Sequence, residues 1–275
     1  MEVKLASSYG FCFGVKRAID IAQQHKNSNT MGPLIHNQKE INRLKLDFNV
    51  GLYENLEDVK KDDTVIIRTH GIPKKDLQEL KQKDAKIINA TCPFVTTPQQ
   101  IVKKMSQEDY SILIFGDYTH PEVKGVKSYG EDVHVILEPS ELENIKFKHD
   151  KIACVAQTTR KKEKYLEIVN TLILKNKEVR VFNTICDATF ENQDAVRELS
   201  QDVDIMIIIG GKNSSNTKQL LYIAKENCTE SYLIEDENEL DLKWFKNKKI
   251  CGVTAGASTP DWIIQKVVDK IKNIN

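Results

Sequence analysis

Short apolar runs rich in valine and isoleucine alternate with longer amphipathic segments along the chain. Such runs, bounded by glycine, proline and polar residues, are typical of buried β-strands. Besides EVKLA at the N-terminus, they are TVIIRT (64–69), KIINAT (86–91), SILIFG (111–116), VHVIL (133–137), KIACVAQ (151–157), VRVFN (179–183), DIMIIIG (204–210) and KICGVT (249–254).

Between these runs, apolar residues recur at intervals of three and four, as expected for one face of a helix. The predicted faces are Val15, Ala18, Ile19 and Ala22, then Leu166, Val169, Leu172 and Ile173, then Ile263, Val267, Val268 and Ile271. Alternation of strands and helices predicts an α/β protein with mostly parallel sheets.

No glycine- or serine-rich linker divides the chain, but a weak repetition divides it into thirds. Cys12, Cys92 and Cys186 each follow a predicted strand at a comparable place. We therefore predict three small α/β lobes around a shared centre, with domains at residues 1–92, 93–185 and 186–275.

Charge and hydropathy limit the classes of partner. Lys and Arg total 40, as do Asp and Glu, so the formal net charge is zero. A protein that binds nucleic acid through its phosphates usually carries a basic excess, so nucleic acid is not an expected partner. We find neither a signal-peptide pattern nor an apolar run long enough to span a membrane. The sequence therefore predicts a cytoplasmic protein with no membrane partner.

The six cysteines separate by their predicted positions. No C-x-x-C motif is present, which excludes local zinc fingers and thioredoxin-type pairs. Cys12, Cys92 and Cys186 lie in strand-to-helix turns, whereas the other three lie in apolar strands or at a helix end and are interpreted as buried structural thiols. Three thiolates suit a [4Fe–4S] cluster with one open iron or a catalytic zinc, and thiolates alone do not distinguish the two.

The other predicted strand ends carry hydroxyls, amides and histidines. In THPEVKG, Glu122 could deliver protons and His120 could orient it or contact an anion. The segments GGKNSSNT (210–217), QTT (157–159) and GAST (256–259) offer neutral donors suited to an oxyanion. Neither a Walker motif nor G-x-G-x-x-G is present, so a nucleotide cofactor is not indicated. On isolated sequence, His36 and His70 are best interpreted as bonded to nearby backbone.

Eight motifs occur in order along nearly the whole chain: GFCFGVKRAI, THG, ATCP, HPEV, QTT, TIC-x-AT, GGKNSSNT and TAGAST. In this order they closely resemble the family of 4-hydroxy-3-methylbut-2-enyl diphosphate reductases of the non-mevalonate isoprenoid pathway. The resemblance implies a trefoil of three α/β lobes around a central [4Fe–4S] cluster. By motif, the ligands of that cluster are Cys12, Cys92 and Cys186.

The resemblance also implies roles for other residues. The proton-donating glutamate of the family falls on Glu122, and its threonine falls on Thr158, holding a water or the substrate hydroxyl nearby. His120 is implied in catalysis as well as in substrate binding. The residues implied in binding the substrate are His36, His70, His120, Thr158, Ser214, Ser215, Asn216 and Ser258. One position departs from the pattern, since Asn192 precedes Gln193 where the family often has arginine.

The reaction implied is the reductive dehydroxylation of an allylic diphosphate, 4-hydroxy-3-methylbut-2-enyl diphosphate, to isopentenyl and dimethylallyl diphosphate. It consumes two electrons and two protons at the open iron. No flavin or nicotinamide signature is present, so an external donor of the ferredoxin or flavodoxin type is expected. The alternatives are a non-redox iron–sulfur dehydratase acting on a phosphorylated small molecule, a metal- or redox-sensing module without catalysis, and a three-cysteine zinc enzyme.

Overall fold

The computed structural model describes residues 1–274, apart from the side chains of Thr189 and Ser215. Within that range the strands are β1 (Glu2–Leu5), β2 (Ser28–Met31), β3 (Val50–Tyr53), β4 (Thr64–Ile67), β5 (Lys86–Asn89), β6 (Ser111–Phe115), β7 (Val133–Ile136), β8 (Lys151–Ala156), β9 (Glu178–Val181), β10 (Ile205–Ile209), β11 (Ser231–Ile234) and β12 (Ile250–Ala255). The α-helices are α1 (Phe13–Gln24), α2 (Gln38–Phe48), α3 (Lys74–Gln82), α4 (Pro93–Gln107), α5 (Pro121–Lys127), α6 (Lys162–Lys175), α7 (Asp187–Leu199), α8 (Ser215–Asn227) and α9 (Asp261–Lys272). Within residues 1–274, no helix is both long enough and apolar enough to cross a bilayer.

The described strands form three four-stranded sheets, ordered β3-β2-β4-β5, β7-β6-β8-β9 and β11-β10-β12-β1. All strand pairs in this part of the chain are parallel. The prediction of an α/β protein with three mostly parallel sheets is therefore confirmed.

The three sheets repeat one topology. The strand order of each sheet is the same once β10 is matched with β2 and β6. A glycine directly after each of these strands donates its N–H to the last residue of the neighbouring strand: Gly32 to Tyr53, Gly116 to Ile136 and Gly210 to Ile234, over 3.0, 2.8 and 2.9 Å. In the third sheet the repeat is completed by β1, from the other end of the sequence. The weak repetition in the sequence thus corresponds to a structural repeat.

The chain forms two compact units. The first comprises Met1–Ile19, Ile35–Phe48 and Asp187–Asn275, and the second comprises Asp20–Leu34 and Asn49–Cys186. The first unit contains the sheet to which β1 belongs, and the second contains the other two sheets. The division into domains at residues 92 and 185 stays a prediction, and β1 pairs with a strand from the last of those three segments.

Each unit has its own apolar core. In the first, alternate residues of β10 point to opposite faces of the sheet, so Ile207 packs towards α9 and Ile208 towards α8. This explains the unbroken apolar run, since a parallel strand covered on both faces needs no polar side. In the second unit, separate clusters cover the sheets that contain β4 and β6.

The face predicted for α6 is partly wrong. Leu166 and Ile173 are 59% and 56% exposed, while Tyr165 and Ile168 join Val169 and Leu172 inside. The Tyr165 hydroxyl donates to the backbone carbonyls at 154 and 182, both at 2.9 Å. A tyrosine whose hydroxyl is paired can be buried, and the inner face of the helix is therefore rotated away from Leu166 and Ile173.

Candidate active-site residues

The three turn cysteines occupy equivalent positions in the three repeats. Each follows the edge strand of its sheet: β1, β5 or β9. Each also donates its backbone N–H to the carbonyl two residues beyond the end of the adjacent strand. These hydrogen bonds run from Cys12 to Ala257, from Cys92 to Thr69 and from Cys186 to Thr158, over 3.1, 2.9 and 2.8 Å. The fold therefore fixes the backbone of each cysteine in the same way.

Exposure separates these cysteines from the others. Cys12, Cys92 and Cys186 are half-buried, whereas Cys154, Cys228 and Cys251 are buried. Burial raises the pKa of the Cys154 and Cys251 thiols to about 12, and it also raises that of Cys228. Because a cysteine binds metal as its thiolate, and burial disfavours the thiolate, the buried thiols are poor ligands. The donor set left by this comparison is the three turn cysteines, which suits an iron–sulfur cluster.

Glu122 and Thr158 form a buried pair in the second unit. The side chain of Glu122 lies in the first turn of α5, and the residue is 1% exposed. Its Oε1 accepts the Thr158 N–H at 2.7 Å, and its Oε2 accepts the Thr158 hydroxyl at 2.7 Å. Burial raises the pKa of the Glu122 carboxyl above its ordinary value, while the two bonds from Thr158 partly oppose that shift. The net shift favours the acid form of this carboxyl over that of an exposed glutamate.

His120 directs the start of α5. Its Nδ1 accepts the Glu122 N–H at 3.2 Å, so the ring caps the helix that carries the glutamate. While this bond is made, Nδ1 carries no proton and the imidazole is neutral. The His70 ring lies perpendicular to it, with 5.3 Å between ring centroids. The structure thus brings together two of the three predicted histidines within the second unit.

Gln157 is a residue whose contribution the sequence did not reveal. Its Oε1 accepts the Asp117 N–H at 2.9 Å and the Arg160 Nε–H at 3.2 Å. Its amide also donates to the Thr159 hydroxyl at 3.2 Å. Gln157 therefore ties the loop before His120 to the turn that contains Thr158. The QTT motif marked its position, but nothing in the sequence distinguished a loop anchor from a ligand contact.

In the first unit, Ser258, which follows β12, contacts the backbone of His36, which precedes α2. The Ser258 hydroxyl donates to the His36 carbonyl at 3.4 Å. A Cβ at Gly211 would lie 3.2 Å from the same carbonyl, so glycine permits the close approach of these loops. His36 itself is exposed. The unit thus brings together His36, Ser258 and the start of the GGKNSSNT segment.

The N-terminus of α8 carries the clearest signal for a ligand. The Ser214 side chain caps this helix by accepting the Thr217 N–H at 3.3 Å. Both polar side-chain atoms of Asn216 are buried, yet neither has a hydrogen-bond partner among the residues that the structure describes. Unpaired buried amides are rare because they forfeit hydration, so this one fits a group supplied by a ligand. The predicted Ser215 side chain lies outside the described residues.

The single cation of this segment is directed towards acidic residues of its own unit. The Lys212 ammonium lies 2.8 Å from Glu239, and the Lys212 N–H donates to Glu235 at 2.9 Å. The hydrogen bond to Glu239 raises the pKa of Lys212. The segment therefore offers a ligand mainly neutral donors and the N–H groups of the helix terminus, a combination that binds anions.

Asn192, the departure from the sequence pattern, is 4% exposed on α7. Its Oδ1 accepts the Ser8 hydroxyl at 2.6 Å. Ser8 and Asn192 are 184 positions apart in the sequence, and neither had been assigned a role. The contact joins α7 to the loop that precedes Cys12.

Comparison with known proteins gives one consistent result. Residues 3–272 match the family described as LytB protein. The chain is 64% identical to a 4-hydroxy-3-methylbut-2-enyl diphosphate reductase from Sulfurimonas denitrificans, covering 99% of both chains. It is 63% identical to the enzyme of that name from Nitratiruptor sp., covering 100% of this chain and 99% of the other.

Solved structures agree with these relatives. One, described as (E)-4-hydroxy-3-methyl-but-2-enyl diphosphate reductase, the terminal enzyme of the non-mevalonate pathway, is 42% identical with a TM-score of 0.79, covering 99% of each chain. Another, described as E-1-hydroxy-2-methyl-but-2-enyl-4-diphosphate reductase from Plasmodium falciparum, is 28% identical with a TM-score of 0.89. That match covers 99% of this chain and 88% of the other.

Proposed function

This chain belongs to the LytB protein family, and on that premise we propose that it reduces 4-hydroxy-3-methylbut-2-enyl diphosphate to isopentenyl diphosphate and dimethylallyl diphosphate. It is an iron–sulfur oxidoreductase of isoprenoid biosynthesis. The observation that carries the proposal is the match over residues 3–272, in a chain that has three half-buried turn cysteines and a buried carboxyl. The net reaction consumes two electrons and two protons and releases the allylic hydroxyl as water.

We assign a [4Fe–4S] cluster to Cys12, Cys92 and Cys186. These are the half-buried thiols, and their donor set of three leaves one iron without a protein ligand. When bound, the cluster supplies electrons and a Lewis-acidic iron for the substrate hydroxyl. The three equivalent backbone tethers hold each cysteine at the end of its strand, so the chain contributes positioned thiolates.

The diphosphate is assigned to neutral donors. The orphaned Asn216 amide and the N-terminus of α8 provide hydrogen bonds to anionic oxygens. The other residues assigned to the diphosphate are His36, His70, His120, Ser214, Ser215 and Ser258. Binding energy from this remote group orients the reacting alcohol, which converts affinity into rate.

Glu122 is assigned as the proton donor. Burial raises the pKa of its carboxyl, which favours the acid form, and its Oε2 lies 2.7 Å from the Thr158 hydroxyl. In the acid form of Glu122 this hydrogen bond reverses, so that a proton moves from Glu122 to the Thr158 oxygen while the hydroxyl proton of Thr158 passes to the leaving oxygen of the substrate. Thr158 thereby holds the substrate hydroxyl and relays the proton. His120 holds the helix that carries Glu122.

The pH dependence of turnover follows from the state of Glu122. Because its folded pKa is raised, the acid form is lost as pH rises through that folded value, and kcat is expected to fall there. Folding stability has the same sign, since it declines with pH between the unfolded and folded pKa, where the folded state binds more protons. Rate measurements from mildly acidic to mildly alkaline pH check this. A kcat that rises steadily with pH would contradict the assignment.

Replacement of Asn216 by leucine is expected to separate stability from substrate binding. Removing an unpaired buried amide should leave the free energy of unfolding unchanged or raise it by about 1 kcal/mol. The KM for the diphosphate should rise about tenfold, with little change in kcat, because one bond to a remote group is lost.

Asn227→Leu, at the other end of α8, is the matched control. The Asn227 amide donates to the Ser200 hydroxyl at 3.1 Å, so this change should lower stability and leave KM unaltered. An unchanged KM in Asn216→Leu would remove Asn216 from the diphosphate site.

Turnover under anaerobic conditions with and without dithionite tests the reaction class. A reductase forms the two diphosphate products only when a reductant is present, whereas a non-redox dehydratase needs none. Product formation without reductant would contradict the proposal.

We further propose a separate electron carrier of the ferredoxin or flavodoxin type. We also propose a cytoplasmic location, which the six free cysteines support because thiols persist in reducing compartments.

A further inference from the structure

Linkers of different length connect the edge strands to the turn cysteines. Residues 90–91 separate β5 from Cys92, residues 182–185 separate β9 from Cys186, and residues 6–11 separate β1 from Cys12. A longer linker leaves the residue at its end with more conformational freedom, so more contacts are needed to fix it. The thiol of Cys12 therefore depends most on anchors within its linker.

Side-chain hydrogen bonds anchor the two shorter linkers. In the linker to Cys92, Asn89 Oδ1 accepts the Thr91 N–H at 3.0 Å. In the linker to Cys186, the Thr184 hydroxyl accepts the Ala156 N–H at 2.8 Å and donates to the Ala156 carbonyl at 2.6 Å. Each anchor fixes the backbone just before the cysteine.

The linker to Cys12 leaves its neighbouring strand and returns to it. The Ala6 N–H donates to Val253 at 3.0 Å, and the Gly10 N–H donates to Ala255 at 3.1 Å. These two hydrogen bonds are four residues apart on the linker but only two residues apart on β12. Residues 7–9 of the linker therefore form a bulge. Ser8 lies at the middle of this bulge.

A side chain of helix α7 holds the bulge in place by a hydrogen bond. Ser8 donates its hydroxyl to Asn192 Oδ1 at 2.6 Å, and Asn192 is 4% exposed. Helix α7 begins at Asp187, directly after Cys186. The hydrogen bond therefore connects the helix that follows one proposed cluster ligand to the linker that precedes another.

We propose that Asn192 is a positioning residue for Cys12, acting through Ser8 to fix the bulge and so to hold the Cys12 thiolate for the [4Fe–4S] cluster. This inference rests on the proposed function, because it assumes that the cluster is bound by the turn cysteines. Asn192 does not touch the cluster or the substrate in this role. Its effect is on how firmly the cluster is retained.

The test is the rate at which the anaerobic holoenzyme loses iron to a chelator. Ser8→Ala and Asn192→Leu should each lose iron about three- to tenfold faster than the wild-type protein, the range expected for one hydrogen bond. The double variant should lose it no faster than either single variant, since both remove the same bond. Ser8→Thr keeps the hydroxyl and should retain the wild-type rate.

Ser200→Ala is the matched control. Ser200 is 1% exposed, lies directly after α7 and accepts a hydrogen bond from Asn227 at 3.1 Å. Its removal should lower the Tm without changing the rate of iron loss, and this distinguishes positioning from general destabilisation.

Iron loss at the wild-type rate in both single variants would overturn the proposal, as would equally fast loss in Ser200→Ala. Additive effects in the double variant would overturn it too, because they would show two independent contacts. If Asn192→Leu does not fold, Ser8→Ala, which changes a half-buried hydroxyl, decides alone. A wild-type protein that binds no iron and sulfide would instead contradict the proposed function.

Discussion

Replacement of Cys92 by serine is expected to abolish both the brown colour of the protein and its turnover. Cys92 is half-buried at the N-terminus of α4 and is tethered by its N–H to Thr69 at 2.9 Å. A serine keeps this backbone geometry but presents a hydroxyl that is not ionised at neutral pH and is a poor ligand for iron. With two thiolates left, the cluster loses a third of its protein ligands.

Cys154→Ala provides the matched control for this loss. The Cys154 thiol is fully buried in β8, and burial raises its pKa to about 12, so it is a core group and no ligand. Its replacement should lower stability by about 1 kcal/mol through lost packing and leave the colour intact. Absorption spectra with iron and sulfide analysis measure both variants. A brown, fully active Cys92→Ser protein would refute cluster ligation by this residue.

Replacement of Glu122 by glutamine is expected to keep the cluster and lower kcat by about 10²- to 10⁴-fold, the usual contribution of a positioned acid. Glutamine has nearly the same shape, and its Oε1 can still accept the Thr158 N–H that Glu122 accepts at 2.7 Å. The amide cannot release a proton to the Thr158 hydroxyl. The KM should change little, since Glu122 is assigned to the transition state rather than to binding the diphosphate.

Glu40→Gln is the control for loss of a buried carboxylate. Glu40 is fully buried on α2, where it accepts hydrogen bonds from Arg43 and from the Trp262 indole at 2.9 Å. Its substitution should reduce the Tm because a charge-assisted network is broken, while kcat stays near the wild-type value. Steady-state kinetics with a saturating chemical reductant compare the two. A Glu122→Gln enzyme with a rate near wild type would remove Glu122 as the proton donor.

The sequence did not predict β2, which has buried polar residues, or β3 and β11, whose apolar stretches are short. Strand β2 has the sequence SNTM, yet Ser28 and Thr30 are 1% and 4% exposed. Their hydroxyls are paired with the backbone at 25 and 32, over 2.6 and 2.9 Å, so they can be buried at little cost. Hydrophobic periodicity does not detect a strand whose polar groups are satisfied locally. β3 (VGLY) and β11 (SYLI) were not predicted either, since each contains only one β-branched residue.

The turn cysteines could be selected from the sequence because strand ends and apolar runs are local features. The contacts that hold these cysteines in place could not be predicted from the sequence. The Cys12 tether to Ala257 and the Ser8–Asn192 bond each join residues about 180 or more positions apart, and hydroxyls and amides at such positions look like ordinary turn residues. The Glu122–Thr158 pair was expected only through the family resemblance. The spacing of its residues along the chain gives no sign of their proximity.

The sheet completed by β1 imposes an order on protein synthesis. Cys12 leaves the ribosome before the other two proposed ligands, but its strand pairs with Ile250–Ala255 and its backbone is tethered to Ala257. The tethers of Cys92 and Cys186 need only residues that are already made. The first ligand to be translated is therefore the last to be placed, and the nascent chain cannot present all three thiolates in their final positions until translation has passed residue 257.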